Sequence, residues 1–456
     1  LVVLEGRDPV GLAVAVQDPS NVFSTDTIRD HSGLHIFLSV ASEGEIEKGL
    51  DLLQRAVSAR GEETGSAIER SGSSSEERLN EILLNALIEG ASDIHIEPFE
   101  NGYRVRFRVD GRLRRISILN KEDGNSLTAR IKVLAGCDIS EKRLPQDGRH
   151  HFQENSRDVD LRVSTLPTVH GEKTVIRILD RKSSQVTLKQ LGLSGQNLEW
   201  LQEGIRSSHG LVLVTGPTGS GKTTTLYSVL DEIVSPEVNV STVENPVERG
   251  VEGVNQTQIN HKAGLTFGRS LRALLRQDPD IIMIGEIRDT ETAEIALEAA
   301  LTGHLVLATL HTNDAPGAAT RLIQMNIEPF LVAATLRVVM AQRLVRSLCD
   351  LCKTPVTLPP EIREKYGPHG LGEGPHFRAG GCPSCRELGY DRRLGVFEVM
   401  RVDERMQDLI SRNPSSYEIR SKALEAGMST LLMDGIRLVE AGRTTLEEAI
   451  RAGGNA

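Results

Sequence analysis

One stretch has the residue types and spacing of a phosphate cradle. Gly216-Pro217-Thr218-Gly219-Ser220-Gly221-Lys222-Thr223, followed by Thr224, fits G-x-x-x-x-G-K-[ST]. It follows an apolar run, LVLVT (211–215), and precedes a helical pattern, the strand–loop–helix context that the motif requires. Glycines at these places let backbone N–H groups wrap phosphates at a helix N-terminus. Lys222 would reach the β- and γ-phosphates of a nucleoside triphosphate, and the Thr223 hydroxyl would ligate Mg²⁺. A chance Gly-rich turn is the competing reading, and it leaves the complete pattern unexplained.

Further candidates lie downstream. DIIMIGE (280–286) is an apolar strand ending in an acid, so Glu286 would act on the Mg²⁺ shell or the attacking water. The bland alternative is a charge at the start of the helix near Asp289. Glu244 and Glu248 in STVENPVE also end an apolar run, Glu244 as the competing general base and Glu248 equally as a solvated loop carboxylate. His304 and His311 bracket LVLATL (305–310). His311 falls near the nucleotide edge, where it would sense the γ-phosphate or bridge to a neighbouring subunit unless it is an ordinary satisfied histidine. Arg177 interrupts an apolar strand, where an unpaired buried charge would need a carboxylate, a phosphate or an interface. Arg272 and Arg276, four apart, share a helix face suited to anion recognition or to a surface salt-bridge row. Cys349-x-x-Cys352 and Cys382-x-x-Cys385 offer four thiolates for a closed, structural zinc site, and Cys137 reads as a small core residue.

These residues need a scaffold. From Gly210 onward the near-continuous apolar runs LVLVT, VNVSTV (238–243), IIMI (281–284) and LVLATL alternate with helical stretches, the pattern of a parallel α/β sheet covered on both faces. Upstream the style is different. A helix is expected over 81–89 with Gly90 as its stop, then a strand at SDIHIEP. Tyr103 to Val109 places Arg104, Arg106 and Arg108 on one face, and Asp110-Gly111 turns into a second strand. Val159, Leu161 and Val163 should face inward, with Asp158, Asp160 and Arg162 outward. The Gly-, Ser- and Glu-rich residues 58–78 read as a linker, residues 46–56 as helical, and Thr444 with Glu447 as a capping box for the last helix.

Length and composition bound the reading. At roughly 150 residues per domain, 456 residues make about three folded units. No apolar run spans a bilayer and the opening, at Leu1 rather than Met, lacks a secretory signal, so a cytosolic chain is expected. A net charge of −10 with 3% aromatic residues argues against a nucleic-acid binder. Five cysteines, four in two C-x-x-C pairs, suit a metal site in a reducing compartment better than disulfides.

Over nearly all of residues 78–456 the chain resembles the secretion-ATPase family that powers type II secretion and type IV pilus assembly. The resemblance rests on ASDIHIEP (91–98), EKRLPQDGR (141–149), DLRVSTLPTVHGEK (160–173), GPTGSGKTTT (216–225), TVENPVE (242–248), LRALLRQDPDIIMIGEIRD (271–289), TGHLVLATLHTNDA (302–315), AQRLVRSLC (341–349) and the second cysteine pair with GYDRRLGVFE (389–398). It implies an α/β fold with a RecA-like P-loop ATPase core, a PAS-like α+β N-terminal subdomain hinged over it, and a small zinc-bound four-cysteine module. The implied layout is a truncated N-terminal α/β domain at 1–57, a linker at 58–78, the PAS-like subdomain at 79–182, the core at 190–345, the cysteine module at 346–398 and a helical segment at 399–456. ATP, Mg²⁺ and Zn²⁺ are the implied ligands. The assembly implied is a homo-hexamer, held at the cytoplasmic face of the inner membrane by secretion or pilus platform proteins.

The family's arginines from the N-terminal subdomain match Arg162 and Arg177, while Arg272, Arg276, Arg288 and Arg393 match those supporting the site or subunit contacts. Its acidic strand end matches Glu286 and its histidine box His304 and His311. Asn245 departs from the pattern, which usually has aspartate there. Retraction ATPases lack the four cysteines, and stretches 265–280 and 321–349 are more similar to the type II secretion branch than to pilus extension.

Overall fold

Alternation of apolar and arginine residues builds the strand Gly102–Val109, in which Tyr103, Val105, Phe107 and Val109 are buried. Asp110 and Gly111 both take positive φ, as a tight hairpin turn requires, and lead into the antiparallel strand Arg112–Leu119. The computed structural model describes residues 2–4, 11–16, 35–40, 42, 74–154, 157–180 and 186–453. Among them are two compact units. The hairpin belongs to a six-stranded sheet in the order Arg112–Leu119, Gly102–Val109, Asp93–Phe99, Gly171–Asp180, Arg157–Thr168, Gln146–Glu154. Val159, Leu161 and Val163 are buried in it, as their spacing predicts.

Two helices accompany this sheet, Ser75–Ile88 and Lys121–Leu134, joined by an ion pair of 2.7 Å between Arg78 Nη1 and Asp123 Oδ1. The first starts earlier than the expected 81, because Ser74 and Glu77 form a reciprocal capping box. Residues 74–78 are therefore cap and helix rather than linker. The rest of the proposed linker and the helical stretch at 46–56 lie outside the described residues. Near the start of the chain, Val2–Leu4, Gly11–Val16 and His35–Val40 form a three-stranded sheet.

The second unit contains a seven-stranded sheet ordered Val254–Gln258, Val240–Glu244, Ile281–Ile284, Leu305–Leu310, Gly210–Thr215, Leu336–Leu348, Tyr390–Arg401. All neighbours are parallel except the last pair. Successive residues of one strand feed two cores: Leu211 and Leu213 join one cluster, Val212 and Val214 the other. That double burial is why these strands are continuously apolar, each buried Leu or Val adding about 1.5–3 kcal/mol. The two strands at 336–348 and 390–401 carry Arg337, Arg343, Arg346, Arg392 and Arg393, which mask their membership of the sheet in the sequence. The cysteine-bearing segment is the excursion between them, with a short antiparallel pair, Thr354–Val356 and His376–Arg378.

Four helices close the chain, the last being Leu446–Gly453. Its expected capping box, Thr444 with Glu447, is replaced by a single cap bond one residue later. Thr445 Oγ1 takes the Glu448 N–H, whereas the Thr444 hydroxyl donates to Arg346 O at 2.7 Å.

Candidate active site

Parallel register brings the candidate residues to one edge of the second sheet. Thr215 pairs with Leu310 and Ala308 with Ile284, so the phosphate loop, His311 and Glu286 leave neighbouring strands at their carboxyl ends. Glu244 ends the next strand, and Gly285 donates to Val243 O at 2.8 Å. His304 is at the opposite end of its strand, where Gly210 N–H binds its carbonyl, with Nδ1 3.0 Å from Ala299 O. The two histidines bracket the strand Leu305–Leu310, whose six residues set them about 20 Å apart, so His304 is not at the edge that His311 occupies.

The loop itself is shaped for an anion. Gly216 and Gly221 take φ of 145° and 89°, and a Cβ at Gly216 would sit 2.5 Å from Gln342 O. Gly221 precedes the helix Lys222–Ile233, with its N-terminus open toward the loop. Lys222 is buried and donates from Nζ to the carbonyls of Gly216 (2.8 Å) and Pro217 (3.0 Å), its own loop. Burial lowers its pKa, with Glu286 acting against the shift and Arg343 adding to it. Ser220 Oγ is buried with no hydrogen-bond partner among the described residues. A cation parked on carbonyls beside an orphaned hydroxyl and a helix N-terminus suits a polyphosphate. Thr223 is exposed at the mouth of the loop.

The two acid candidates differ in what already occupies them. Glu244 is 2% exposed and accepts from Tyr227 OH (2.5 Å), Thr242 Oγ1 (2.6 Å) and Gln256 Nε2 (3.2 Å). Burial, then the Glu244 bond, push the Tyr227 phenol well above its ordinary value. Glu286 instead meets two exposed groups, Arg288 Nε at 2.6 Å and His311 Nε2 at 3.6 Å. Helix capping is done by Asp289, which accepts from Thr292 N–H at 2.8 Å, so Glu286 is not spent there.

The arginines sort differently from their spacing. Arg162 Nη2 lies 3.2 Å from Glu248 Oε2, on the loop that follows Glu244 and within the same unit. Arg177 is exposed, so the burial penalty that singles it out in the sequence does not arise: its strand alternates, with Glu172, Thr174 and Ile176 buried. Arg272 and Arg276 do not share a helix face, because that helix ends at Leu274. Arg272 Nη1 pairs with Glu291 Oε1 at 2.5 Å, and Arg276 Nη1 donates to the Arg272 carbonyl at 2.6 Å. Arg393 is exposed.

Sequence reasoning missed two residues of the strand beside the loop. Gln342 is buried and accepts from Thr225 Oγ1 at 2.7 Å, bracing the phosphate-loop helix. Arg343 Nη2 donates to Asn313 O and Oδ1, both at 3.2 Å. The only signal for either was their place in AQRLVRSLC, next to an unrecognised strand.

Apart from this edge, the Sγ atoms of Cys349, Cys352, Cys382 and Cys385 all lie within 4.8 Å of one another. Tetrahedral zinc at about 2.3 Å from each thiolate needs sulfur separations near 3.8 Å, so the set suits the metal. Gly389 N–H donates to Cys385 Sγ at 3.1 Å, which favours a thiolate. Among the described residues no helix is long and apolar enough to cross a membrane.

Comparison with known proteins agrees with this arrangement. The family model described as Type II/IV secretion system protein matches residues 69–451. The type IV pilus assembly ATPase PilB of Myxococcus xanthus is 44% identical, across 99% of this chain and 84% of that protein. The type II secretion system ATPase E of Vibrio cholerae is 48% identical, across 82% of this chain and 74% of its own length. Among solved structures, the pilus retraction motor PilT with bound ADP aligns over 82% of this chain and 96% of that one, with TM-score 0.56 and 26% identity. The Legionella pneumophila ATPase DotB aligns over 85% and 98%, with TM-score 0.64 and 23% identity, which speaks to fold alone.

Proposed function

The chain belongs to the type II/IV secretion system protein family, and we propose that it is the ATP hydrolase that drives assembly of a filament of pilin-like subunits. The observation that carries the proposal is the carboxyl edge of the second sheet, where a buried Lys222 held on its own loop carbonyls lies within electrostatic reach of Glu286, which is itself paired with His311. In this reading Gly216 to Thr224 cradle the triphosphate, and Lys222 exchanges the two carbonyls for phosphate oxygens. Thr223 and Glu286 would hold Mg²⁺, which supplies charge neutralisation on the phosphates when bound. Glu286 rather than Glu244 orients and deprotonates the attacking water, since Glu244 already takes three donors. Arg162 and Arg177 stabilise phosphate charge on closure, His311 follows the γ-phosphate, and Arg272, Arg276, Arg288 and Arg393 support the site or subunit contacts. The products are ADP and phosphate.

The six-stranded sheet with its two helices supports a PAS-like reading of the first unit, and the parallel sheet a RecA-like reading of the second. The four cysteines would hold one structural Zn²⁺. We assign the working form to a homo-hexamer whose subdomains rotate with nucleotide state, attached at the cytoplasmic face of the inner membrane through platform proteins. Two machines fit. Identity of 48% over the shared region favours pseudopilus assembly in type II secretion. Similarity over 99% of the chain favours pilus extension. Affinity capture from native membranes with a Lys222→Ala bait decides between them. Type II secretion inner-membrane components support the first, and pilus-assembly components replace it with the second. Recovery of neither refutes the platform assignment.

A further inference from the structure

Arg343 lies two residues beyond Ala341, which pairs with Thr215, the last residue of the phosphate-loop strand. It therefore extends about 7 Å past that strand's end, at the edge where nucleotide would sit. Its neighbours Gln342 and Leu344 pack against Gly221, so by strand alternation Arg343 projects to the opposite side, toward the loop after His311. There Nη2 is bound to Asn313, but Nη1 is buried and has no hydrogen-bond partner among the described residues. Two acids lie within its electrostatic reach, and neither bonds Nη1: Asp314 is taken by Arg420 and the Gly317 N–H, while Glu398 accepts the Ala315 N–H on Oε1 at 2.8 Å and has a buried Oε2 with no hydrogen-bond partner among the described residues.

A buried, unbonded cationic N–H₂ close enough to disfavour the charge on Lys222 is unfavourable on two counts. A polyanion relieves both. Resting on the ATP-hydrolase reading above, we propose that Arg343 is a phosphate-contacting residue that donates from Nη1 to the terminal phosphate of bound ATP while Nη2 keeps Asn313. The terminal phosphate is favoured over the inner ones because Arg343 stands with the 311–314 loop, whose His311 faces Glu286, and not with the glycine amides. The contact would also report the presence of that phosphate to the His311 loop through Asn313.

The test is titration of the full chain with a fluorescent non-hydrolysable ATP analogue and, separately, with fluorescent ADP. Arg343→Gln should weaken the ATP analogue roughly tenfold and ADP less than about twofold, the loss expected for one charge-assisted hydrogen bond. Arg343→Lys, which keeps the charge but not the fork, should give a smaller loss with the same preference, and it carries the test if the glutamine variant does not fold. Equal losses for both nucleotides, or no loss in either variant, overturn the inference while leaving the hydrolase reading intact. A wild-type chain that binds neither nucleotide overturns both.

Discussion

Tyr227 ties two functional segments together, donating to Glu244 while its oxygen accepts the Glu248 N–H at 3.1 Å. Tyr227→Phe should therefore lower stability by about 1–2 kcal/mol, read as a shifted urea midpoint. Arg162 touches the same segment through Glu248. Arg162→Ala is expected to depress ATP hydrolysis tenfold or so with an unchanged melting temperature, and wild-type turnover in that variant would remove the arginine from the mechanism. At this scale the phosphate loop was legible because its chemistry is local: backbone amides and one lysine within eight consecutive residues. The apolar run around Arg177 reads as burial on both faces, whereas the strand alternates and leaves Arg177 exposed. Arg343 escaped notice because its meaning depends on a partner thirty residues upstream, brought near only by strand pairing.

Among elements, the parallel strands were readable since each feeds two cores, while the pair at 336–348 and 390–401 was not, because arginines interrupt its apolar pattern. The last helix is pinned to that pair by Glu448, whose Oε1 meets Arg346 Nη2 and whose Oε2 accepts the Arg346 N–H, both at 2.9 Å. Burial opposes the charged form, but the Arg346 bonds outweigh it and hold the Glu448 pKa below its ordinary value. A depressed carboxylate contributes stability above its unfolded pKa and loses it as pH falls through the folded one. Glu448→Gln should be less stable than the parent by about 3 kcal/mol at neutral pH, and denaturation curves should converge as the pH falls from the ordinary glutamate range through the depressed Glu448 pKa. A constant difference across that range would exclude the pair as its source. The four cysteines make a separate prediction. Metal analysis of reduced protein should find one zinc per chain that resists mild chelation, and Cys382→Ser should lose it with a fall in melting temperature.

For the whole molecule, two compact units and a candidate site at one sheet edge are the framework on which the proposed nucleotide-driven motor rests. Length predicts about three folded units, and the described residues divide into two; the proposed hexamer is not legible from one chain's residues, because such an assembly is specified by surfaces that match only between copies. The central claim is that ATP is hydrolysed at this edge with Glu286 acting on the water. Its most direct test is phosphate release by the purified chain with MgATP, beside ATP-binding titrations, for wild type and Glu286→Gln. The account predicts turnover in the wild type and, in the variant, ATP affinity within about threefold of the parent with hydrolysis lowered at least a hundredfold. Unchanged hydrolysis in Glu286→Gln would contradict it.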